Sequence, residues 1–182
     1  GTFLHDRRYM DYHADRFQDA SVMVRRQGKL VAILPANKDG DAIISHGGLT
    51  YGGFIIGPKM GTAMFLDIFA AVLSVARTFG AARLIYKPTP HIYHTQPAEE
   101  DLYALFRFKG RLVRCDASAS IPLARRLKSS KLRRRGRADL VVGESCDWPA
   151  FWAILAEVLA QRHGARPTHS LDEITLLANL FP

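Results

Sequence analysis

His91 and His94 stand in the short run PHIYH, between Pro88 and Pro90 on one side and Pro97 on the other. Proline fixes its own φ and restricts the residue before it. The segment is therefore expected to be a stiff loop at a strand end, a place where scaffolds commonly present functional side chains. Histidine changes charge near neutral pH and can take a proton from an amine as a general base. Glu99 and Glu100 follow within a few residues, where they can orient a histidine or hold a cationic acceptor. The H-x-x-H spacing also permits metal ligation, but no third ligand is evident. A plainer reading stands beside these: the histidines hydrogen-bond the backbone, and the acids favour the start of a helix through its dipole. Tyr86, Lys87 and Tyr93 can contact a sugar or a phosphate, or simply pack at a core edge with the hydroxyls bonded.

A second run with chemical potential is YGGFIIGPKMGTA, Tyr51–Ala63. His46, Tyr51 and the pair Gly52-Gly53 fall where a strand is expected to meet a bend, and glycine there permits a bulge or a close backbone approach. Lys59, Gly61 and Thr62 then precede an apolar helical pattern. Free N–H groups at a helix N-terminus suit a phosphate. The alternative is an ordinary strand-to-helix turn with Thr62 as N-cap, which is the preferred reading because an isolated glycine pattern carries little information.

These residues need elements to hold them. FLHDRRYMDYHADRF reads as a helix without a clear cap. SVMVRRQGKLVAIL reads as two strands about a tight turn at Gln27-Gly28, and Asn37–Asp41 as a second turn. AIISH and YGGFII read as further strands, so that the first half forms an antiparallel meander. Phe65, Phe69, Val72, Ala76 and Phe79 alternate steps of four and three, which predicts a helix with Gly80 just past its end. RLIYKP is expected as a strand, AEEDLYALFRF as a helix, and RLVRCDASASIPL as an extended strand. Strands followed by a helix–strand–helix–strand order predict an α+β or mixed-sheet domain with helices on both faces.

The chain has 182 residues and a net charge of +8. Eight of its 25 Lys and Arg lie in RRLKSSKLRRRGR, Arg125–Arg137, which has no acid; the 17 that remain balance the 17 acidic residues. The basicity therefore belongs to one stripe, which suits a phosphate backbone, an anionic headgroup or a phosphate-rich donor, or forms a solvated connecting helix. It lacks the interleaved aromatics of a single-strand binding platform. Cys115 and Cys146 have no C-x-x-C partner and read as reduced thiols of a cytoplasmic protein. No apolar stretch is long enough to span a bilayer. Beyond the stripe, DLVVGES reads as a strand, Asp147 as the cap of the helix WPAFWAILAEVLAQRH, and Ser170 with Glu173 as a capping box. A strand and two amphipathic helices need a sheet to cover them. The expectation is a second unit cut short after Pro182, whose open apolar face pairs two copies as a homodimer.

The block KPTPHIYHTQPAEEDLYALFRFKGRLVRCDASASI, preceded by IISHGGLTYGGFI, resembles bacterial GNAT-like acetyltransferases associated with surface-polysaccharide biosynthesis. These are distant relatives of the Fem-type peptidyl transferases, which carry two GNAT-like domains in tandem. The resemblance implies a mixed, mostly antiparallel sheet flanked by helices over residues 1–123. It also implies a basic connection over 124–138 and the start of a second GNAT-like domain over 139–182. It implies acyl-coenzyme A as donor, with no permanently bound cofactor. The family's pyrophosphate loop falls on Pro58–Ala63, where Gly61 and Ala63 match, Lys59 adds a charge and Pro58 replaces the usual Gln or Arg; Lys59, Gly61 and Thr62 would hold the coenzyme A. The family's bulged strand falls on Gly52–Phe54, which would offer an N–H to the thioester carbonyl. Read this way, the chain is an acyl- or aminoacyltransferase acting on an amino-sugar or cell-envelope precursor. His91, His94 and Glu99 would be catalytic, and Tyr51, Gly52, Gly53, Lys87, Tyr93 and Glu100 would bind substrate. An aminoacyl-tRNA is the less favoured donor. The alternative is a non-catalytic module that binds nucleic acid or a protein partner through residues 125–137, and either reading allows for an inactive piece of a longer chain.

Overall fold

A computed structural model describes residues 2–121 and 143–182. The basic stripe Arg125–Arg137, its expected helix and the start of the expected strand at Asp139 lie outside the described residues. The chain divides into two compact units, Gly1–Val113 and Arg114–Pro182.

In the first unit a single turn of 3-10 helix at Phe3–His5 leads into α1, Arg7–Asp11, whose cap Asp6 accepts the Arg8 N–H. The helix expected through Phe17 thus ends early. From Tyr12 onward the chain turns, and His13 is buried with Tyr9, Tyr12 and Phe17 set around it.

Seven short strands follow the same unit: β1 Gln18–Asp19, β2 Val22–Arg26, β3 Lys29–Leu34, β4 Asn37–Asp39, β5 Ala42–Ile44, β6 Ile55–Ile56 and β7 Arg83–Ile85. They form two sheets, with orders β1-β4-β5-β7 and β2-β3-β6. All pairings are antiparallel except β5 with β7. The fold is thus mixed α+β, but the single sheet expected from the sequence is split. The reason lies at Pro35 and Ser21. Proline brings no N–H to a ladder, and the Ala36 N–H is taken by the Ser21 hydroxyl at 3.2 Å. The chain therefore leaves one sheet at Leu34 and enters the other at Asn37.

The hairpin at Gln27-Gly28 forms as its sequence dictates: both residues have positive φ, 51° and 78°, the twist that a two-residue turn needs. The second turn is shorter than expected. Asn37–Asp39 belong to β4, and only Gly40-Asp41 make the bend. Asn37 is instead a buried brace whose side-chain oxygen accepts the Gly47 N–H at 2.5 Å.

Helix α2, Thr62–Thr78, carries the core. Phe65, Ile68, Phe69, Val72 and Ala76 are buried. Ile68, Val72 and Ala76 pack with Ala32 and Leu34 of β3 and Ile43 of β5, so one helix covers strands of both sheets. Phe79, expected on the same stripe, is 57% exposed because it is the C-cap, past the sheet edge. Gly80 follows in the left-handed region at φ 74°. The N-cap is Gly61, not Thr62, and no side chain caps it. Helix α3, Glu100–Arg107, packs on α2 through Ala104 against Phe65 and Phe69. Residues 111–121 have no strand, contrary to expectation; Leu112 and Val113 are exposed, with no sheet edge to pair them.

The second unit holds α4, Trp148–His163, and α5, Leu171–Leu180. Asp147 caps α4 by accepting the Ala150 N–H, Gly164 ends it at φ 58°, and Ser170 and Glu173 form the expected capping box on α5. The Trp152 indole N–H donates to the His169 carbonyl at 3.0 Å. Among its described residues none is buried; Phe151 and Ile154 stay exposed. Residues 143–145, the described end of the expected strand, have no strand structure. No helix among the described residues is long and apolar enough to cross a membrane.

Candidate functional site

The proline-bounded segment does become a fixed loop. His91–Tyr93 form one 3-10 turn, closed by the His94 N–H on the His91 carbonyl. The loop is pinned at its start, where the Thr89 hydroxyl donates to the Gly52 carbonyl at 2.7 Å. Thr89 in turn accepts at its own carbonyl from His94 Nε2 at 3.0 Å. A carbonyl can only accept, so Nε2 carries the hydrogen and the neutral ring holds its lone pair on Nδ1. His94 is therefore a half-buried histidine with a defined tautomer and an available basic nitrogen.

His94 lines two adjacent cavities. The first, about 300 Å³, has a floor of Phe54, Ile56, Met60 and Phe65 and polar walls of His5, His94, Glu100 and Asp101. Tyr93 also borders it, and its ring stacks on Tyr51 with centroids 5.0 Å apart. The second is bordered by His91, His94, Glu99 and Glu100. The two histidines and two glutamates singled out in the sequence are thus gathered around one loop. They are not equivalent: His91 and Glu99 are exposed, whereas His94 and Glu100 are partly enclosed. Among the described residues, no three metal-ligating side chains gather around a common point.

Behind the cavity a buried relay holds the frame. Tyr86 donates its hydroxyl hydrogen to Asp101 Oδ2 at 2.8 Å and accepts the Phe54 N–H at 2.9 Å. Enclosure of its oxygen, followed by the charge of Asp101, pushes the Tyr86 phenol well above its usual range, so it stays a donor. The sequence gives no signal for this pair, because neither residue belongs to a spaced motif. His5 is likewise invisible in the sequence as a site residue. Its Nδ1 accepts the Thr2 N–H at 3.2 Å, and burial lowers its pKa more than the nearby Gly52 carbonyl raises it.

The remaining expected residues serve the frame. Gly52 donates its N–H to the Lys87 carbonyl at 3.1 Å. A Cβ on Gly52 would stand 2.0 Å from the Ser45 carbonyl oxygen, so glycine is required by packing. Gly53 has φ 80°, and a Cβ there would meet the Tyr86 hydroxyl at 2.8 Å. The N–H groups of Gly52 and Phe54 are both engaged within the chain, not offered to a bound carbonyl. Lys87 donates its N–H to the Ser45 hydroxyl at 2.6 Å and its ammonium to the Leu49 carbonyl. Burial lowers its pKa. Tyr51 donates its hydroxyl to Thr2 Oγ1 at 2.9 Å. Lys59, Gly61 and Thr62 are exposed at the start of α2, and Gly61 has an ordinary extended φ of −115° with open space where a Cβ would stand. Glycine is not sterically demanded there.

A second buried polar group lies apart from the cleft. His46 is 3% exposed, has φ 56°, and its ring sits 6.2 Å from that of buried His13. Burial first, then the proximity of His13, pulls the His46 pKa down to about 4.

The fold and cleft define a mixed α+β chain with an oriented histidine and a carboxylate over an apolar floor. It matches no protein-family model, no curated protein and no solved structure. The resemblance to GNAT-like acetyltransferases therefore rests on its quoted residues alone.

Proposed function

We propose that this chain is an N-acyltransferase of the GNAT-like type, with His94 as the general base. The observation that carries the reading is the hydrogen bond from His94 Nε2 to the Thr89 carbonyl, which leaves Nδ1 as a positioned proton acceptor beside a cavity. The acceptor is the amine of an amino-sugar or related envelope precursor, and the donor is an acyl-coenzyme A. The acceptor amine attacks the thioester carbonyl and its proton passes to His94 Nδ1. The C–N bond forms, the C–S bond breaks, and the thiolate leaves, to be protonated from the imidazolium or from water. A positioned general base contributes about 10²–10⁴-fold to such a step. For the donor's phosphates, the first-turn N–H groups of α2 lack a side-chain cap, and Lys59 stands just before them in the chain.

The test is acyl transfer followed by mass spectrometry of amino-sugar acceptors incubated with acyl-coenzyme A. His94→Gln keeps an N–H for the Thr89 carbonyl but has no base. It should lower the rate by about 10²–10⁴-fold, whereas His91→Gln should leave it nearly unchanged. Loss of activity with His91→Gln and retention with His94→Gln would overturn the assignment.

A further inference from the structure

Glu99, Glu100 and Asp101 follow one another at the start of α3, yet their oxygens are not equally engaged. Asp101 Oδ2 accepts the Tyr86 hydroxyl and Oδ1 accepts the Leu102 N–H, each at 2.8 Å. Glu99 is exposed and borders only the second cavity. Glu100 borders both cavities, and its Oε2 is enclosed with no hydrogen-bond donor reaching it among the described residues. A buried carboxylate oxygen without a partner is unfavourable, and native structures resolve such a group with a partner, water or an ion. His94 does not resolve it, because its Nε2 hydrogen is committed to Thr89 and its Nδ1 is an acceptor. Glu100 and His94 both line the cavity whose floor is Phe54, Ile56, Met60 and Phe65, and each brings an acceptor, the unpartnered Oε2 of Glu100 and Nδ1 of His94.

We propose that the cleft is a site for a small primary ammonium carried on an apolar or ring-shaped body, with Glu100 as its counter-ion. An ammonium brings three donors and no acceptor, which is what two acceptor side chains on the lining of one cavity require. Its hydrocarbon flank covers the aromatic and aliphatic floor. A volume of about 300 Å³ suits a ligand no larger than a single ring with its substituents. The identity of this ammonium as the acyl acceptor rests on the acyltransferase reading; the binding does not. In that reading the bound ammonium first loses one proton to water through His94 Nδ1; the neutral amine so formed then attacks, and its second proton passes through His94 Nδ1 to the departing thiolate.

The experiment is an NMR titration of the full chain at low salt, without acyl donor, using n-butylammonium and its neutral counterpart n-butanol. The ammonium should bind more tightly and should shift amides of Phe54–Gly57, Thr89, His94 and Glu100. Glu100→Gln should weaken it by about 10- to 100-fold, down to the level of n-butanol. Glu99→Gln removes the same charge one residue away and should change the affinity by no more than about twofold. Equal binding of the two probes, equal weakening by both substitutions, or shifts outside the cleft would each overturn the proposal. Should Glu100→Gln fail to fold, the probe comparison and shift map on the unaltered chain decide it. Ammonium binding without any acyl transfer would sink the catalytic reading alone, and acyl transfer without a preference for the ammonium would sink this one alone.

Discussion

At the scale of single residues, His94 and His46 are held in different ways. His94 makes one hydrogen bond at the edge of a cavity. His46 is buried, and its pKa falls from the usual 6.5 to about 4, through burial first and then the neighbouring His13, with Lys87 and Arg7 adding and Asp19 opposing. A group whose folded pKa is depressed contributes stability that is complete above the unfolded value and is lost as pH falls. The window is therefore from about 6.5 down to about 4, and its full extent is on the order of 3 kcal/mol. Asp6, Asp19 and Asp41, all held below 3.8, add their own losses at lower pH. His46→Asn keeps a side chain that tolerates positive φ and removes the titration. Urea unfolding at pH 7, 5.5 and 4.5 should show the unaltered chain weakening across this series and the variant weakening much less. Parallel curves for the two proteins would contradict the role given to His46.

At the scale of elements, α2 decides whether the two sheets form one body. Its buried face meets β3 of one sheet and β5 of the other. Phe65 is fully buried, touches the Phe54 ring edge-on at 5.1 Å, and forms part of the cleft floor. Phe79 continues the same helical periodicity but stands 57% exposed at the cap. Phe65→Ala should cost about 3–5 kcal/mol, while Phe79→Ala should stay within about 0.5 kcal/mol. Chemical denaturation measures both. A similar cost at the two positions would mean that the helix does not pack as described. The cleft depends on the same element, so Phe65→Ala should also weaken any ligand that rests on the floor.

At the scale of the whole molecule, charge is the feature that the cleft does not use. The excess of basic residues belongs to Arg125–Arg137, while the cleft carries carboxylates and histidines. A chain with one basic stripe should bind RNA through it, and such binding weakens steeply with salt because condensed counterions are released. Fluorescence anisotropy with a labelled tRNA-sized RNA should show affinity falling by several orders of magnitude between about 50 and 200 mM salt. Replacing Arg133, Arg134 and Arg135 by alanine should flatten that dependence and leave acyl transfer unchanged. If the substitutions abolish transfer and leave the salt slope intact, the stripe serves the reaction instead of an independent nucleic-acid surface.

Local signals in the sequence determined whatever depends on a few neighbouring residues. The Gln27-Gly28 turn, the span of α2 with Gly80 after it, the Asp147 cap and the Ser170–Glu173 box are all legible, because a turn or cap is decided within a few positions of chain. The stiff loop around His91 and His94 and the acids at the head of α3 are legible for the same reason. Tertiary structure alone decided what depends on residues distant along the chain. Ser21 and Ala36 lie in separate links between strands, and only their meeting beside Pro35 shows that the meander splits into two sheets. Tyr86 and Asp101, Thr89 and Gly52, and Ser45 against Gly52 are likewise pairs that no spacing announces. The difference between His94 and His91, and between Glu100 and Glu99, is one of enclosure and partners. A sequence lists the two histidines as equals; the packing of Gly52 and Thr89 around the loop is what gives one of them a fixed tautomer beside a cavity.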